Sequence, residues 1–139
     1  MQRYPALARI FLQSVTCFLL LFCSTVSVTA HQSPEQPVIA SITWATLPPE
    51  AQQTLQLIRQ GGPFPYTRDG TVFQNFEQRL PRQRRGYYTE YTVPTPGLSH
   101  RGARRIVAGA GKQNDPKTSG EYYYTADHYQ RFLRIQQVP

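Results

Sequence analysis

Three side chains of the 139-residue chain have the types needed for acid–base chemistry on a phosphodiester. Glu90 and Arg105 lie in two segments with strand character, and His128 lies in a loop near the C-terminus. A carboxylate can take a proton from a hydroxyl group, and an imidazole can give one to a departing oxygen. An arginine can balance the charge that builds up on phosphorus. Together these are the groups that metal-free cleavage of RNA requires.

The spacing of these residues does not by itself bring them together. In the segment 87–93, strand alternation places Glu90 on one face with Tyr88 and Thr92, and Tyr91 on the opposite face. A carboxylate on a strand is more often solvated or held in a salt bridge than catalytic. A structural role for Glu90 therefore stays open at this point.

The elements that must position these residues are one helix and several strands. A helix is predicted with its N-cap at Thr46 or Leu47, Glu50 in its first turn and its end at the Gly-Gly-Pro run 61–63. The polar segment 109–121 is expected to be a mobile loop. The sequence predicts an α+β fold, one N-terminal helix packed on a twisted antiparallel β-sheet. The predicted strands cover 71–73, 87–93, 104–108 and 131–135, with a further short strand over 38–43.

The first thirty residues have the pattern of an export signal. Two arginines precede an apolar stretch that ends in small residues, so we expect residues 1–30 to be removed and the protein to be secreted. A flexible lead-in is expected over 31–42 and one domain over 43–139. A retained membrane anchor is the alternative, although polar residues interrupt the apolar stretch. Both cysteines lie inside the signal, which excludes a disulfide framework and a thiolate zinc site from the remainder.

The charge of the chain after residue 30 limits the choice of partners. Residues 31–139 carry 13 lysines and arginines and eight acidic residues, a net charge of +5, and eleven of the 13 cations are arginine. The planar guanidinium group of arginine binds phosphate in a two-point contact, which lysine does not. This composition favours a polyanionic partner, RNA or DNA first. A basic surface that only keeps the protein soluble is the alternative.

Several runs of residues occur in the order found in one protein family. From about residue 47 to residue 129 the chain resembles the extracellular bacterial guanyl-specific ribonucleases, a barnase-like superfamily, and is most similar to the small streptomycete-type branch. The resemblance implies the microbial ribonuclease fold. The matching runs include 47–51 (LPPEA), 62–66 (GPFPY), 72–75 (VFQN), 86–93 (GYYTEYTV), 104–107 (RRIV) and 123–129 (YYTADHY).

The resemblance also implies catalytic roles. Glu90 matches the general base that takes the proton of the ribose 2′-hydroxyl, and His128 matches the general acid that protonates the leaving 5′-oxygen. Arg101 and Arg105 match phosphate-binding arginines, and Tyr129 closes the same pocket. The implied product is a 2′,3′-cyclic phosphate that is later hydrolysed, with no metal and no cofactor.

A base-recognition loop is implied over residues 73–77. The carboxylate of Glu77 would accept hydrogen bonds from guanine N1–H and the exocyclic amine, whereas it would repel the N1 acceptor of adenine. Main-chain N–H groups near Asn75 and Phe76 would donate to guanine O6, and the ring of Phe73 would stack on the base. For Glu77, a turn residue paired with Arg79 is the alternative. The implied substrate-binding set is Phe73, Gln74, Asn75, Phe76, Glu77 and Tyr129.

The implied function is a secreted endoribonuclease that cleaves single-stranded RNA 3′ to guanosine. The alternatives are an RNA-binding module of the same fold without catalysis, and the same nuclease deployed as a secreted toxin. Single-stranded RNA is the expected partner, with an acidic inhibitor protein of the barstar type as a further one. We expect a monomer that does not associate with membranes once the signal is removed. Thr43 stands where similar family members carry a disulfide cysteine, and such a bridge contributes about 2–4 kcal/mol, so we expect lower stability than theirs.

Overall fold

Residues 35–136 are the part of the chain that this computed structural model describes. The export signal expected over 1–30 and the first part of the lead-in lie outside the described residues. Between residues 35 and 136, no helix is long and apolar enough to cross a membrane. The elements are β1 (Ala40–Thr43), a 3-10 helix (Trp44–Thr46), α1 (Pro49–Gln60), β2 (Thr71–Phe73), β3 (Tyr88–Thr92), β4 (Arg105–Gly109), β5 (Tyr122–Thr125) and β6 (Leu133–Gln136).

Six strands form one sheet in the order β1-β6-β5-β4-β3-β2. The strands from β2 to β6 pair antiparallel in chain order, which confirms the predicted α+β class. The sheet departs from the predicted antiparallel pattern at one edge, where β1 runs parallel to β6. The rest of the domain lies between these two strands in the chain, so no hairpin forces them to run in opposite directions.

The N-cap of the helix α1 lies one or two residues after the predicted position. Its N-cap is Pro48, because the preceding 3-10 turn ends with the N–H of Leu47 donating to the carbonyl of Trp44. The predicted end is confirmed. Gly61 adopts φ +83°, the left-handed conformation that glycine allows, and the N–H of Gly62 closes the last turn on the carbonyl of Leu57.

The sheet is buried on both faces. The face toward α1 packs the helix residues Ala51, Leu55 and Ile58 against apolar side chains of β3 to β6. The opposite face carries a second, smaller core. This core consists of Leu80, Tyr88, Val107, Tyr123 and Phe132. Because successive residues of a strand point to opposite faces, polar side chains on this second face lie beside that core and not under the helix.

The strands differ from the prediction mainly at β5. The strands predicted over 87–93 and 104–108 are β3 and β4 with ends shifted by one residue, and the strand predicted over 131–135 begins only at Leu133. No strand was predicted at Tyr122–Thr125, which forms β5 between β4 and β6. The segment before it, from residue 110 to residue 120, forms turns, one of them closed by the N–H of Asp115 on the carbonyl of Ala110 at 2.8 Å.

Candidate active site

The pairing of β3 with β4 and β5 sets the polar side chains of the second face side by side. Glu90 lies opposite Val107, and Thr92 lies opposite Arg105. Arg105 in turn lies opposite Thr125 at the end of β5. Strand register alone therefore places a carboxylate and a guanidinium on one face, in neighbouring strands and two positions apart along them.

The carboxylate of Glu90 is almost fully buried, with 6% of the residue exposed. Its Oε1 accepts a hydrogen bond from Nη2 of Arg101 at 3.2 Å, and its Oε2 accepts one from the hydroxyl of Tyr129. Burial, and then the hydrogen bond to this carboxylate, raise the pKa of the Tyr129 phenol above its usual value of 10.0. Tyr129 therefore stays protonated and donates, and Glu90 keeps the acceptor character that a base needs.

Arg105 is a buried cation that has no carboxylate partner among residues 35–136. Its Nη1 donates to the carbonyls of Gly102 and Arg104, at 2.9 and 2.8 Å, while its buried Nε has no hydrogen-bond partner in the described part of the chain. A buried, unpaired charge is costly. Beside Glu90, this guanidinium has the character of an anion site that is completed by a ligand.

His128 lies in a tight loop after β5 whose shape depends on one carboxylate. His128 and Tyr129 both have positive φ, 55° and 70°. The Oδ1 of Asp127 accepts hydrogen bonds from the N–H of Arg131 and the hydroxyl of Thr125, each at 3.0 Å. The same Thr125 hydroxyl accepts the N–H of Tyr129 at 3.2 Å. Asp127 thus holds the strained backbone that presents the imidazole.

The Asp127 carboxylate should stay ionised and hold this loop in mildly acidic solution. The N–H of Arg131, with smaller effects of its side chain and of Thr125, lowers the pKa of Asp127 from 3.8 to about 2. Because the pKa is lowered on folding, the carboxylate contributes stability above pH 3.8, and the contribution is lost as the pH falls through about 2. Urea unfolding of the wild type and of Asp127→Asn should therefore differ by a constant amount from pH 5 to 8, and the difference should shrink between pH 4 and 2. A difference that does not change with pH would contradict this role.

Glu90 and His128 line the same cleft, which has a volume of about 390 Å³. Glu90 lies in its wall, and the exposed His128 lies at its surface with its ring 4.8 Å from the ring of Tyr129, centre to centre. The cleft is also lined by the predicted loop residues 73–77, together with Arg68, Arg79 and Gln130. Arg101 reaches the site through its hydrogen bond to Glu90.

The loop 73–77 is held in shape from within. The side-chain amide of Asn75 donates to the carbonyl of Leu80 at 2.9 Å and accepts the N–H of Leu80 at 3.0 Å. The ring of Phe73 stacks on Tyr129 with centres 5.0 Å apart, while Phe76 is 84% exposed. Gln74 is exposed as well. The loop thus offers its backbone and one aromatic ring to the cleft, close to the Glu90 carboxylate.

The carboxylate of Glu77 is exposed and forms an ion pair with Arg79, 2.6 Å from Nε to Oε2. The ion pair considered as the alternative role of Glu77 is therefore confirmed. The same guanidinium donates to the carbonyl of Gln130 at 2.8 Å and so links this loop to the loop of His128. An exposed pair of this kind contributes about 0–1 kcal/mol, so a ligand can replace it at little cost.

Four contacts of the site were not predicted from the sequence. The buried carboxylate of Asp69 accepts the N–H of Thr92 at 2.7 Å and lies 4.0 Å from Nη2 of Arg101. The hydroxyl of Thr92 accepts Nε of Arg101 at 2.6 Å, and the backbone of Gln130 accepts Arg79. The Asp-Gly pair 69–70 is typical of a turn. Its proximity to Arg101 comes from the pairing of β2 with β3, which no local pattern reveals.

Comparison with known proteins decides the family. A family model described as ribonuclease matches residues 30–136. The chain belongs to the ribonuclease family. Guanyl-specific ribonuclease Sa of Kitasatospora aureofaciens is 52% identical to this ribonuclease over 101 residues, 73% of this chain and 98% of that protein. Guanyl-specific ribonuclease St of Saccharopolyspora erythraea is 56% identical over 88 residues, 63% of this chain and 79% of that protein.

Solved structures agree with the architecture of this ribonuclease. Ribonuclease Sa2, studied in complexes with mononucleotides, matches with a TM-score of 0.65 at 46% identity, over 73% of this chain and 97% of that chain. A structure of ribonuclease Sa2 with 3′-GMP matches with a TM-score of 0.60 at 45% identity, over 70% of this chain and 97% of that chain. These comparisons confirm the family resemblance and the fold class that were predicted from the sequence.

Proposed function

We propose that this ribonuclease is a guanyl-specific endoribonuclease that cleaves single-stranded RNA 3′ to guanosine through a 2′,3′-cyclic phosphate. One observation carries the proposal: Glu90 and His128 line one cleft, beside a buried arginine without an acidic partner among residues 35–136. The relatives named guanyl-specific ribonucleases support the activity and its base preference. The structures of ribonuclease Sa2 with 3′-GMP and with guanosine-2′-cyclophosphate support the cyclic intermediate.

In the first step, Glu90 takes the proton of the ribose 2′-hydroxyl, and the 2′-oxygen attacks phosphorus. The bond from phosphorus to the 5′-oxygen of the next nucleotide breaks, and His128 protonates that oxygen. In the second step the roles are exchanged: His128 takes a proton from water, the water oxygen attacks the cyclic phosphate, and Glu90 protonates the released 2′-oxygen. Each proton transfer contributes about 10²- to 10⁴-fold in rate.

Arg105 and Arg101 stabilise the phosphorane in both steps. The buried Nε of Arg105 has no partner among residues 35–136, so this guanidinium retains a donor for the charge that develops on the phosphate oxygens. Arg101 bridges Glu90 and Thr92 and keeps the base in place while adding a second positive charge. Tyr129 completes the pocket, since its hydroxyl donates to Glu90 and its ring covers Phe73.

Guanine recognition is assigned to the loop 73–77. The Glu77 carboxylate accepts the N1–H and exocyclic amine of guanine after it leaves Arg79, and backbone N–H groups at Asn75 and Phe76 donate to O6. Phe73 provides the aromatic surface under the base. The side chain of Phe76 stays exposed, and its contribution to guanine recognition is through its backbone only.

The substitution Glu77→Gln should weaken the preference for guanine. The amide of glutamine would bring a donor against the two donors of guanine, and losing hydrogen bonds to a charged acceptor costs about 1.5–3 kcal/mol, or about 10- to 100-fold in kcat/KM. The measurement is kcat/KM on GpA and on ApA, which should converge in the variant. Arg79→Gln removes the ion pair but keeps the acceptor, so it serves as the matched control and should retain the preference.

The place of action and the partners follow from charge and from the N-terminal pattern. We propose secretion, supported by the signal-like residues 1–30, and action as a monomer on single-stranded RNA. An inhibitor protein of the barstar type is the further partner proposed, because an acidic surface would complement a cleft that is lined by Arg68 and Arg79.

The decisive experiment is incubation of the purified protein with a short RNA that contains one guanosine, in the presence of EDTA. The expected result is a single cut 3′ to guanosine with a cyclic-phosphate end. Binding of the RNA without scission would shift the function to an RNA-binding module. A cut in DNA of the same sequence would exclude the mechanism, because DNA lacks the 2′-hydroxyl that acts as nucleophile.

A further inference from the structure

A second cleft adjoins the proposed guanosine cleft. Phe73, Gln74, Asn75 and Phe76 line both of them, so the loop 73–77 forms their common wall. The second cleft has a volume of about 440 Å³, which is sufficient for a small ligand. We call it the arginine cleft. Its remaining lining residues are Gln78, Arg82, Gln83, Arg84, Arg85, Gly86 and Tyr88.

The positive charge of the arginine cleft is uncompensated. Three arginines line it and no acidic residue does. Arg82, Arg84 and Arg85 are all exposed and lack an ion-pair partner among residues 35–136. Salt bridges elsewhere occupy other arginines, as Arg131 with Asp127 shows. Uncompensated guanidinium groups at a concave surface are suited to phosphate groups of a nucleic acid backbone.

The loop that carries these arginines is anchored at several points. Leu80, just before it, is fully buried, and the hydroxyl of Tyr88 donates to the carbonyl of Pro81 at 2.9 Å. The N–H of Tyr87 donates to the carbonyl of Arg84 at 3.1 Å, and the Arg84 guanidinium donates to the side chain of Asn114. A ligand bound here therefore does not have to order the backbone of this loop, which favours binding.

Phe76 adds an aromatic surface at the boundary of the two clefts. It is 84% exposed and lines both of them. Leu80 and Tyr88 fill the core beneath the loop, and Phe76 is not part of that core. Packing of the folded chain therefore does not account for an aromatic side chain at this position. Single-stranded nucleic acids bind to surfaces where an exposed aromatic ring stacks on a base beside cations that contact the backbone.

We propose that the arginine cleft binds the nucleotide on the 5′ side of the cleaved guanosine, with its base on Phe76 and its phosphate at Arg82 and Arg85. The inference rests on the proposed function, which places guanosine in the neighbouring cleft. The polarity follows from His128, which faces the nucleotide that leaves on the 3′ side and lines only the guanosine cleft. The strand that enters the arginine cleft is therefore the 5′ segment.

The test compares GpA, the 5′-extended pApGpA and the 3′-extended GpApA as substrates. The double variant Arg82→Gln/Arg85→Gln removes two charges from the arginine cleft. The matched control Arg59→Gln/Lys112→Gln removes two charges that line neither cleft. In the wild type, 5′ extension should raise kcat/KM by on the order of tenfold, a gain typical of one stacked base with its phosphate. The double variant should lose this gain and still cleave GpA at the wild-type rate, whereas the control should keep the gain.

Salt dependence gives a second readout. Neutralisation of one single-strand phosphate contributes about 0.7 to the slope of log kcat/KM against log salt, so loss of the phosphate site formed by Arg82 and Arg85 should lower the slope for pApGpA by about 0.7. Phe76→Leu should lower the ratio of pApGpA to GpA cleavage without this change in slope, because it removes the ring and no charge.

The possible failures are distinguishable. No cleavage of GpA by the wild type overturns the proposed function. Normal cleavage of GpA with no gain on 5′ extension overturns the arginine cleft alone. If the control variant Arg59→Gln/Lys112→Gln loses the gain on pApGpA equally, the gain comes from general charge attraction, and the site is overturned. If GpApA shows a gain that depends on Arg82 and Arg85, the proposed 5′ polarity of the arginine cleft is overturned.

Discussion

Replacement of Glu90 by glutamine is expected to lower kcat on GpA by roughly 10²- to 10⁴-fold with the fold intact. Glutamine has the same shape and keeps an oxygen that can accept from Arg101 or Tyr129, but its amide cannot take the proton of the 2′-hydroxyl. Stopped-flow or quench measurements with saturating substrate give kcat, and urea unfolding checks the fold.

Glu121 offers the matched control for this substitution. Its carboxylate also accepts phenol hydroxyls, from Tyr87 at 2.6 Å and from Tyr123 at 2.8 Å, but it lines neither the guanosine cleft nor the arginine cleft. Glu121→Gln should therefore leave kcat within a few-fold of the wild type at a temperature where both are folded. If Glu90→Gln kept more than a tenth of the wild-type kcat, another group would have to be the base.

Local sequence patterns predicted the elements that carry the site. Strand alternation placed Glu90 on the face that the structure leaves free of the helix, and the Gly-Gly-Pro run marked the end of α1 correctly. The arginine pair 104–105 likewise has one member on each face. Arg104 contacts Glu50 of the helix, and Arg105 lies in the second face beside Thr92. These features depend on periodicity, which a sequence displays directly.

The features that were missed depend on contacts between distant segments. β5 is buried on both faces, so its residues 122–125 show no alternation of polar and apolar side chains. The parallel pairing of β1 with β6 joins residues that are almost the whole domain apart in the chain. The buried Asp69 meets Arg101 only because β2 pairs with β3. None of these contacts has a local signal that could be distinguished from a turn or a loop.

The two interpretations of Glu77 are compatible with each other. Glu77 pairs with Arg79, as the structural alternative required, and it still lines the cleft where guanine is proposed to bind. Because Arg79 also donates to Gln130, release of Glu77 leaves that arginine with one remaining partner beside His128. Guanine would thus exchange one exposed ion pair for two hydrogen bonds to the same carboxylate, an exchange that favours the bound state.

The second large effect is expected for His128→Ala, and it should depend on the leaving group. Without the imidazole, the 5′-oxygen of RNA must depart unprotonated, so kcat on GpA should fall by roughly 10²- to 10⁴-fold. In an activated aryl ester of guanosine 3′-phosphate, the leaving group is an aryloxide that departs without a proton. The same variant should therefore lose less than about tenfold on this substrate. Glu90→Gln should lose activity on both substrates, because both need the 2′-hydroxyl to be deprotonated. An equal loss of His128→Ala on the two substrates would make the imidazole a phosphate ligand and not an acid, and the proton would then have to come from Tyr129 or from water.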